Sequence, residues 1–319
     1  MTELTQLQMN LKGKCMALLA IGTVILMIQC RKSDEAQNLY IPNNNAPYYD
    51  RIPTVLVKNY VNRLFIDLIG REPLDVEMDE EVSRLKAASL SFQARDSLIM
   101  KLQFDTTFRE GDSSYNAAYF NRLYELFKVK MLEGASDGDI LRERGLIYGN
   151  LIRDSLSGNY YNLGISWDKI RKLDDVLDID DDLREDSIEV KDAFARLLDN
   201  AVYDRINMNT FNFLRASFND LFGRYPTQSE FDNGFDIVEY NKPAIIFGQY
   251  AQNKSEYIQV LVSSKEFYEG LVRWTYIGLL SREPDTYEVD EAMQTFYYDH
   301  DLPALQRTIL ITDEYANFK

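Results

Sequence analysis

The sequence predicts an all-α fold of diverged helical repeats in two halves, set behind a separate amino-terminal segment. Three observations predict it. Apolar residues recur at three and four positions from Thr54 onward, the period of a helix with one buried face. A Gly/Ser-Arg-x-Pro-x-x-x-Glu pattern occurs three times. The 45% hydrophobic content is ample for a packed core in 319 residues.

In residues 1–29, Lys12 and Lys14 precede an uncharged run, Cys15 to Gln29, rich in Leu, Ile, Met and Ala. A basic stretch followed by an apolar run of this length is a signal-peptide pattern, and the run falls short of the ~20 residues a membrane-spanning helix needs. Either Met1 or Met9 is the start. Leu26-Met27-Ile28-Gln29-Cys30 resembles a bacterial lipobox, with Gln29 standing where the lipobox has a small residue. The resemblance implies cleavage before Cys30 and a covalent lipid on it. Ser33, Asp34 and Glu35, after Arg31-Lys32, resemble the tag that Bacteroidota use to send lipoproteins to the cell surface. Residues 30–53 carry Pro and Asn without helical periodicity and read as a tether. Removing residues 1–29 takes away Lys12, Lys14 and Glu3, leaving 33 basic against 50 acidic residues.

Residues 54–172 form the predicted amino-terminal helical half. Val57, Tyr60, Val61, Leu64, Phe65 and Leu68 mark its first helix, which ends at the first motif, Gly70-Arg71-Glu72-Pro73 with Glu77. The second motif is Gly223-Arg224-Tyr225-Pro226 with Glu230, and the third Ser281-Arg282-Glu283-Pro284 with Glu288. The last two belong to the carboxy-terminal half, residues 190–319. Glycine suits the left-handed turn that ends a helix, and proline shortly after it opens the next. Thr227 to Glu230 and Asp285 to Glu288 have capping-box spacing, so the repeated glutamate reads as a cap. The repeated arginine reads as a tie between helices, with anion binding as the sharper alternative. Each motif follows an aromatic five positions earlier (Phe65, Phe218, Tyr276). Each also precedes a Leu or Ile with an aromatic six later: Leu102 and Phe108, Leu261 and Phe267, Ile309 and Tyr315. Tyr119 to Tyr124 echoes Tyr60 to Phe65 and reads as a degenerate fourth start.

The stretch Tyr60 to Phe108 resembles an uncharacterised helical domain of planctomycete cytochrome-type proteins. The copy near residue 281 is similar to the helical repeat of bacterial secreted proteins and phycobilisome linkers. Both imply assembly modules and carry no catalytic residues.

Between the halves, residues 173–189 read as a solvated acidic linker. Asp178, Asp180, Asp182, Asp186 and Glu189 fall at positions 1, 3, 5, 9 and 12 of an EF-hand-like loop, so calcium is the alternative reading, although Leu183 replaces the turn glycine.

Composition narrows function. A net charge of −16 repels phosphate backbones, which argues against nucleic-acid partners. Both cysteines, Cys15 and Cys30, lie at the amino terminus, and His300 is the only histidine, so most zinc, thiol and triad chemistry lacks material. Of the tyrosine pairs Tyr48-Tyr49, Tyr160-Tyr161 and Tyr297-Tyr298, an exposed one suits a protein interface. The expectation is a non-enzymatic, lipid-anchored protein on the outer-membrane surface, an accessory or scaffold subunit of a β-barrel complex for import, secretion or barrel assembly, without a cofactor. A glycan-binding surface lipoprotein is the alternative, and a carboxylate-based hydrolase the third reading.

Overall fold

The computed structural model describes residues 52–108 and 113–318, which fall in one compact unit. The expected lipidation at Cys30 and the export residues Ser33, Asp34 and Glu35 lie outside the described residues.

The first copy comprises α1 (Thr54–Ile69), α2 (Asp75–Ala87) and α3 (Phe92–Phe104). α1 buries the face its periodicity picks out: Val57, Tyr60, Val61, Leu64, Phe65 and Leu68 are all enclosed. Gly70 ends it at φ 77°, a left-handed conformation that costs glycine nothing. The end of the expected tether differs from the sequence reading. Ile52 is 5% exposed and belongs to the core, and Pro53 already caps α1.

α4 (Tyr115–Met131) follows, and the degenerate fourth start lies within it. Two long helices, α5 (Asp137–Ser157) and α6 (Tyr160–Leu177), form an antiparallel hairpin turning at Gly158. α7 (Ile179–Arg184), α8 (Val190–Leu198) and α9 (Ala201–Asn207) lead to the second copy, α10 (Thr210–Phe222), α11 (Gln228–Tyr240) and α12 (Lys254–Val262). The third copy is α13 (Lys265–Leu280), α14 (Thr286–Asp299), α15 (Leu302–Leu310) and α16 (Asp313–Ala316).

The helical expectation holds, and one element is corrected. The acidic stretch 173–189 is not a solvated linker throughout. α6 runs to Leu177, α7 occupies Ile179–Arg184, and Leu173, Val176, Ile179 and Leu183 are buried at helical spacing. The fold is mostly helical, and its one addition is a short hairpin in which β1 (Ala244–Ile246) and β2 (Gln249–Ala251) pair antiparallel across a Phe247-Gly248 turn. Both turn residues have positive φ, as a tight hairpin requires. Three-residue strands are too short to display alternation.

The first and last copies also pack directly on each other. Tyr60 Oη donates to the Leu310 carbonyl at 3.1 Å, and from α4 Tyr119 Oη donates to Gln306 at 2.6 Å. Fully buried Arg95 donates to the Leu90 and Ile311 carbonyls at 3.0 and 2.7 Å and pairs with Asp313 at 2.9 Å. Arg63 donates to the carbonyls of Leu279 and Tyr315, and Tyr315 Oη donates to Asp67 at 2.8 Å. The array therefore closes its end on its beginning. At its centre Phe194 contacts Phe127 and Phe267 at ring separations of 4.8 and 5.3 Å.

Candidate functional site

The three motif arginines are structural locks. Arg224 donates Nη1 to Glu230 at 2.9 Å and to the Tyr225 carbonyl at 3.1 Å. Its Nη2 reaches Glu230 and Glu266, each at 2.8 Å, and Nε completes a second fork on Glu266. Arg282 repeats this arrangement on Glu288, the Glu283 carbonyl and Glu314. A guanidinium has five N–H donors. All five are engaged in both copies, so no donor remains for a bound anion. Arg71 forks onto Glu77 at 2.8 and 2.9 Å. The aromatic five positions before each Gly/Ser lies under the guanidinium, at 5.6 Å for Phe65, 5.0 Å for Phe218 and 5.6 Å for Tyr276.

The repeated glutamate also caps the next helix, accepting from the Leu74, Thr227 and Asp285 amides at 2.8, 2.7 and 2.8 Å. Thr227 and Asp285 return the bond to the glutamate amide, whereas Leu74 has no acceptor to do so. The Arg224 fork, with the Thr227 amide and hydroxyl, pulls Glu230 down to about 2. At Glu77, burial raises the carboxyl, but the Arg71 fork, the Tyr115 hydroxyl and the Leu74 amide outweigh it and bring it also to about 2.

One aromatic assignment fails. Phe108 is 80% exposed, while Phe267 and Tyr315 are buried. In the first copy the longer connection lets Tyr115 take that place, edge-on to Phe65 at 5.8 Å and donating to Glu77 at 2.6 Å.

The acidic stretch does not gather into a site. Asp178 caps α6, Asp182 pairs with Arg196 at 2.6 Å, and Glu189 is shared between Lys191 at 2.7 Å and His300 at 2.9 Å. Among the described residues no group of three or more His, Cys, Asp or Glu side chains is placed to hold a metal. His300 is the left-handed cap of α14 and stacks on Tyr268 at 4.5 Å.

The feature that core packing does not explain is the outer half of the α5–α6 hairpin. Its base is held by the Arg144 fork on Asp174 and by Lys172 to Asp199 at 3.0 Å. Beyond Leu151, no residue from 152 to 169 is buried. Tyr148, Ile152 and Leu156 recur every fourth position on α5, and Tyr161 and Ile165 do so on α6; all are exposed, as are Tyr160 and Trp167. Leu156, Tyr160 and Tyr161 reach 85, 79 and 80% exposure. Between Leu146 and Trp167 the only charges are Arg153 and Asp154, which cancel, in a chain of net charge −16. Gly145, Gly149 and Gly164 are helical, with nothing within 4 Å of where a Cβ would stand. A helical glycine costs about 1 kcal/mol relative to alanine, and internal packing gives no reason for these three. By contrast, a Cβ at Gly270 would land on the Leu221 carbonyl oxygen. An apolar, charge-poor surface with accessible backbone is suited to receive another molecule. Tyr160 and Tyr161 were visible in the sequence as an aromatic pair, but the surface around them was not.

No helix of the described residues is long and apolar enough to cross a membrane. Comparison with known proteins gives no match, since no family model, curated protein or solved structure is similar to this chain.

Proposed function

We propose that the chain is a lipid-anchored, non-catalytic subunit of an outer-membrane β-barrel complex at the cell surface, and that the α5–α6 hairpin docks it to its protein partner. The single observation behind this reading is the hairpin tip, an apolar and neutral extension of an otherwise acidic body. Large aromatic and aliphatic side chains supply most interface energy when buried by a partner, and unencumbered glycines allow a partner's backbone to approach closely. The signal-peptide pattern ending at Cys30 supports the location, with a lipid on Cys30 holding the acidic body near the barrel.

The test is extraction of the native full-length protein in mild detergent from cells labelled with a clickable palmitate. The reading expects label on the protein and co-purification of a barrel. It also expects loss of the barrel, but not of the label, when Leu156, Tyr160 and Tyr161 are changed to Ser. Absence of label overturns the anchor; a barrel that stays bound to the triple variant overturns the docking role of the hairpin.

A further inference from the structure

α5 is apolar on two separate sides. One side places Ile140, Ile147 and Leu151 in the core. Away from them, Leu141, Tyr148, Ile152 and Leu156 stand 52, 47, 45 and 85% exposed. Gly145 and Gly149 lie between them, with nothing within 4 Å of a Cβ at either. At about 3.6 residues per turn these six fall within one arc of about 100°. A surface helix ordinarily turns polar side chains outward, so the second stripe serves something other than the fold of one chain.

The order of the residues along the stripe fits one occupant. Gly145 and Gly149 are four apart, as are Ile152 and Leu156. A second copy of α5 laid antiparallel, about a two-fold axis between residues 150 and 151, sets Gly145 against Leu156 of the other copy and Gly149 against its Ile152. Each large side chain then meets a glycine, where the missing Cβ lets the backbones come close, and one patch serves both copies, as a two-fold interface requires.

Charge and area agree with that occupant. The chain carries −16, yet Asp139, Glu143 and Asp154 all lie outside the arc, so two acidic copies meet here without opposing carboxylates. At about 200–250 Å² for a fully open large side chain, the stripe with its glycines offers roughly 550 Å² per copy. A pair therefore buries about 1,100 Å², just over the ~1,000 Å² that a specific interface must clear.

We infer that two copies of the chain pair through this face of α5 as an antiparallel two-fold dimer. The inference goes beyond the docking reading, because it assigns α5 to a second copy and leaves Tyr160, Tyr161, Ile165 and Trp167 of α6 to a different partner.

The test is sedimentation velocity of the chain from residue 31 onward, which holds the whole compact unit, between about 1 and 200 µM in about 0.15 M salt. A reversible monomer–dimer equilibrium is expected, with a dissociation constant of about 5–50 µM for so small an area. Ile152→Glu puts a carboxylate into the interface, and Gly149→Leu fills the notch while extending into open space in the single chain. Each should weaken the dimer at least about tenfold, whereas Ile165→Glu on α6 should leave it unchanged. A barrel that fails to co-purify says nothing against this dimer, and a monomeric chain says nothing against the barrel, so the two readings fail separately. A chain still monomeric at about 200 µM, a dimer unweakened in either α5 variant, or one lost equally in Ile165→Glu overturns the inference.

Discussion

Replacing Arg224 with methionine tests the lock that the repeat pattern encodes. Methionine keeps much of the side chain's length and its contact with Phe218, but removes four donors from Glu230 and Glu266 and the fifth from the Tyr225 carbonyl. The Glu230 carboxyl lies at about 2 in the folded chain against 4.5 unperturbed, a difference worth at most about 3.4 kcal/mol at 1.36 kcal/mol per unit. Glu230 is 20% exposed, and solvent screening brings that ceiling to about 2 kcal/mol. Loss of the Glu266 fork adds about 1 kcal/mol. The variant should therefore be about 3 kcal/mol less stable at pH 7, a fall in melting temperature of about 6–10 °C. The pH dependence gives a sharper test. A depressed carboxyl contributes fully above its unfolded value of 4.5 and loses that contribution as pH falls through its folded value of about 2. At pH 3 the native chain has surrendered about three-fifths of the Glu230 contribution, roughly 1.2 kcal/mol, whereas the variant has only the part owed to the Thr227 amide and hydroxyl to surrender. The gap between the two should narrow by up to about 1 kcal/mol. Urea unfolding followed by circular dichroism at pH 7 and pH 3 measures both values. A gap below about 1 kcal/mol at pH 7, or one that does not narrow at pH 3, would refute the assignment of Arg224 as the lock.

Three further outcomes follow from the packing. Gly149→Ala should raise stability by about 0.5–1 kcal/mol because its surroundings are open, while Gly270→Ala should cost about 2 kcal/mol or more by driving a methyl into the Leu221 carbonyl; thermal melts of the pair decide this. Phe267→Ala should cost about 3–5 kcal/mol, and Phe108→Ala less than about 0.5 kcal/mol, since one ring is enclosed and the other is in solvent; equal costs would mean that the first copy uses Phe108 after all. Arg95→Met should cost about 3–5 kcal/mol by leaving the buried Leu90 carbonyl and the part-buried Ile311 carbonyl without their donor. Hydrogen exchange should then show α15 and α16 losing protection ahead of α10 and α11.

What was legible in the sequence is what local spacing encodes. The helix ends at Gly70, Gly223 and Ser281, and the caps of Thr227 to Glu230 and Asp285 to Glu288, depend on residues within eight positions of each other, so their geometry follows from turn and cap chemistry alone. The arginine partners Glu266 and Glu314 lie 42 and 32 positions along the chain, and nothing local marks them. Yet each stands immediately before the aromatic that the repeat comparison had singled out, Phe267 and Tyr315, so aligning the copies one column further would have found both. In the acidic stretch the charges mask a helical period. Ile179 and Leu183 are four apart and buried, and Arg196 neutralises Asp182 rather than leaving it to a metal.

The closure of the array on itself had no local signal, and it changes how the repeat should be understood. Open helical arrays need polar terminal copies to cover the apolar faces of their end repeats. In this chain Tyr60, Tyr119 and Arg95 of the early helices are satisfied by Leu310, Gln306 and Ile311 of the last ones, so each terminal copy covers the other. A closed array buries the surfaces that open arrays use for recognition, which leaves binding to whatever departs from the repeat. The clearest departure is the long α5–α6 hairpin inserted after the degenerate fourth start, and the proposed docking element falls there, where the fold itself imposes the least demand on the sequence.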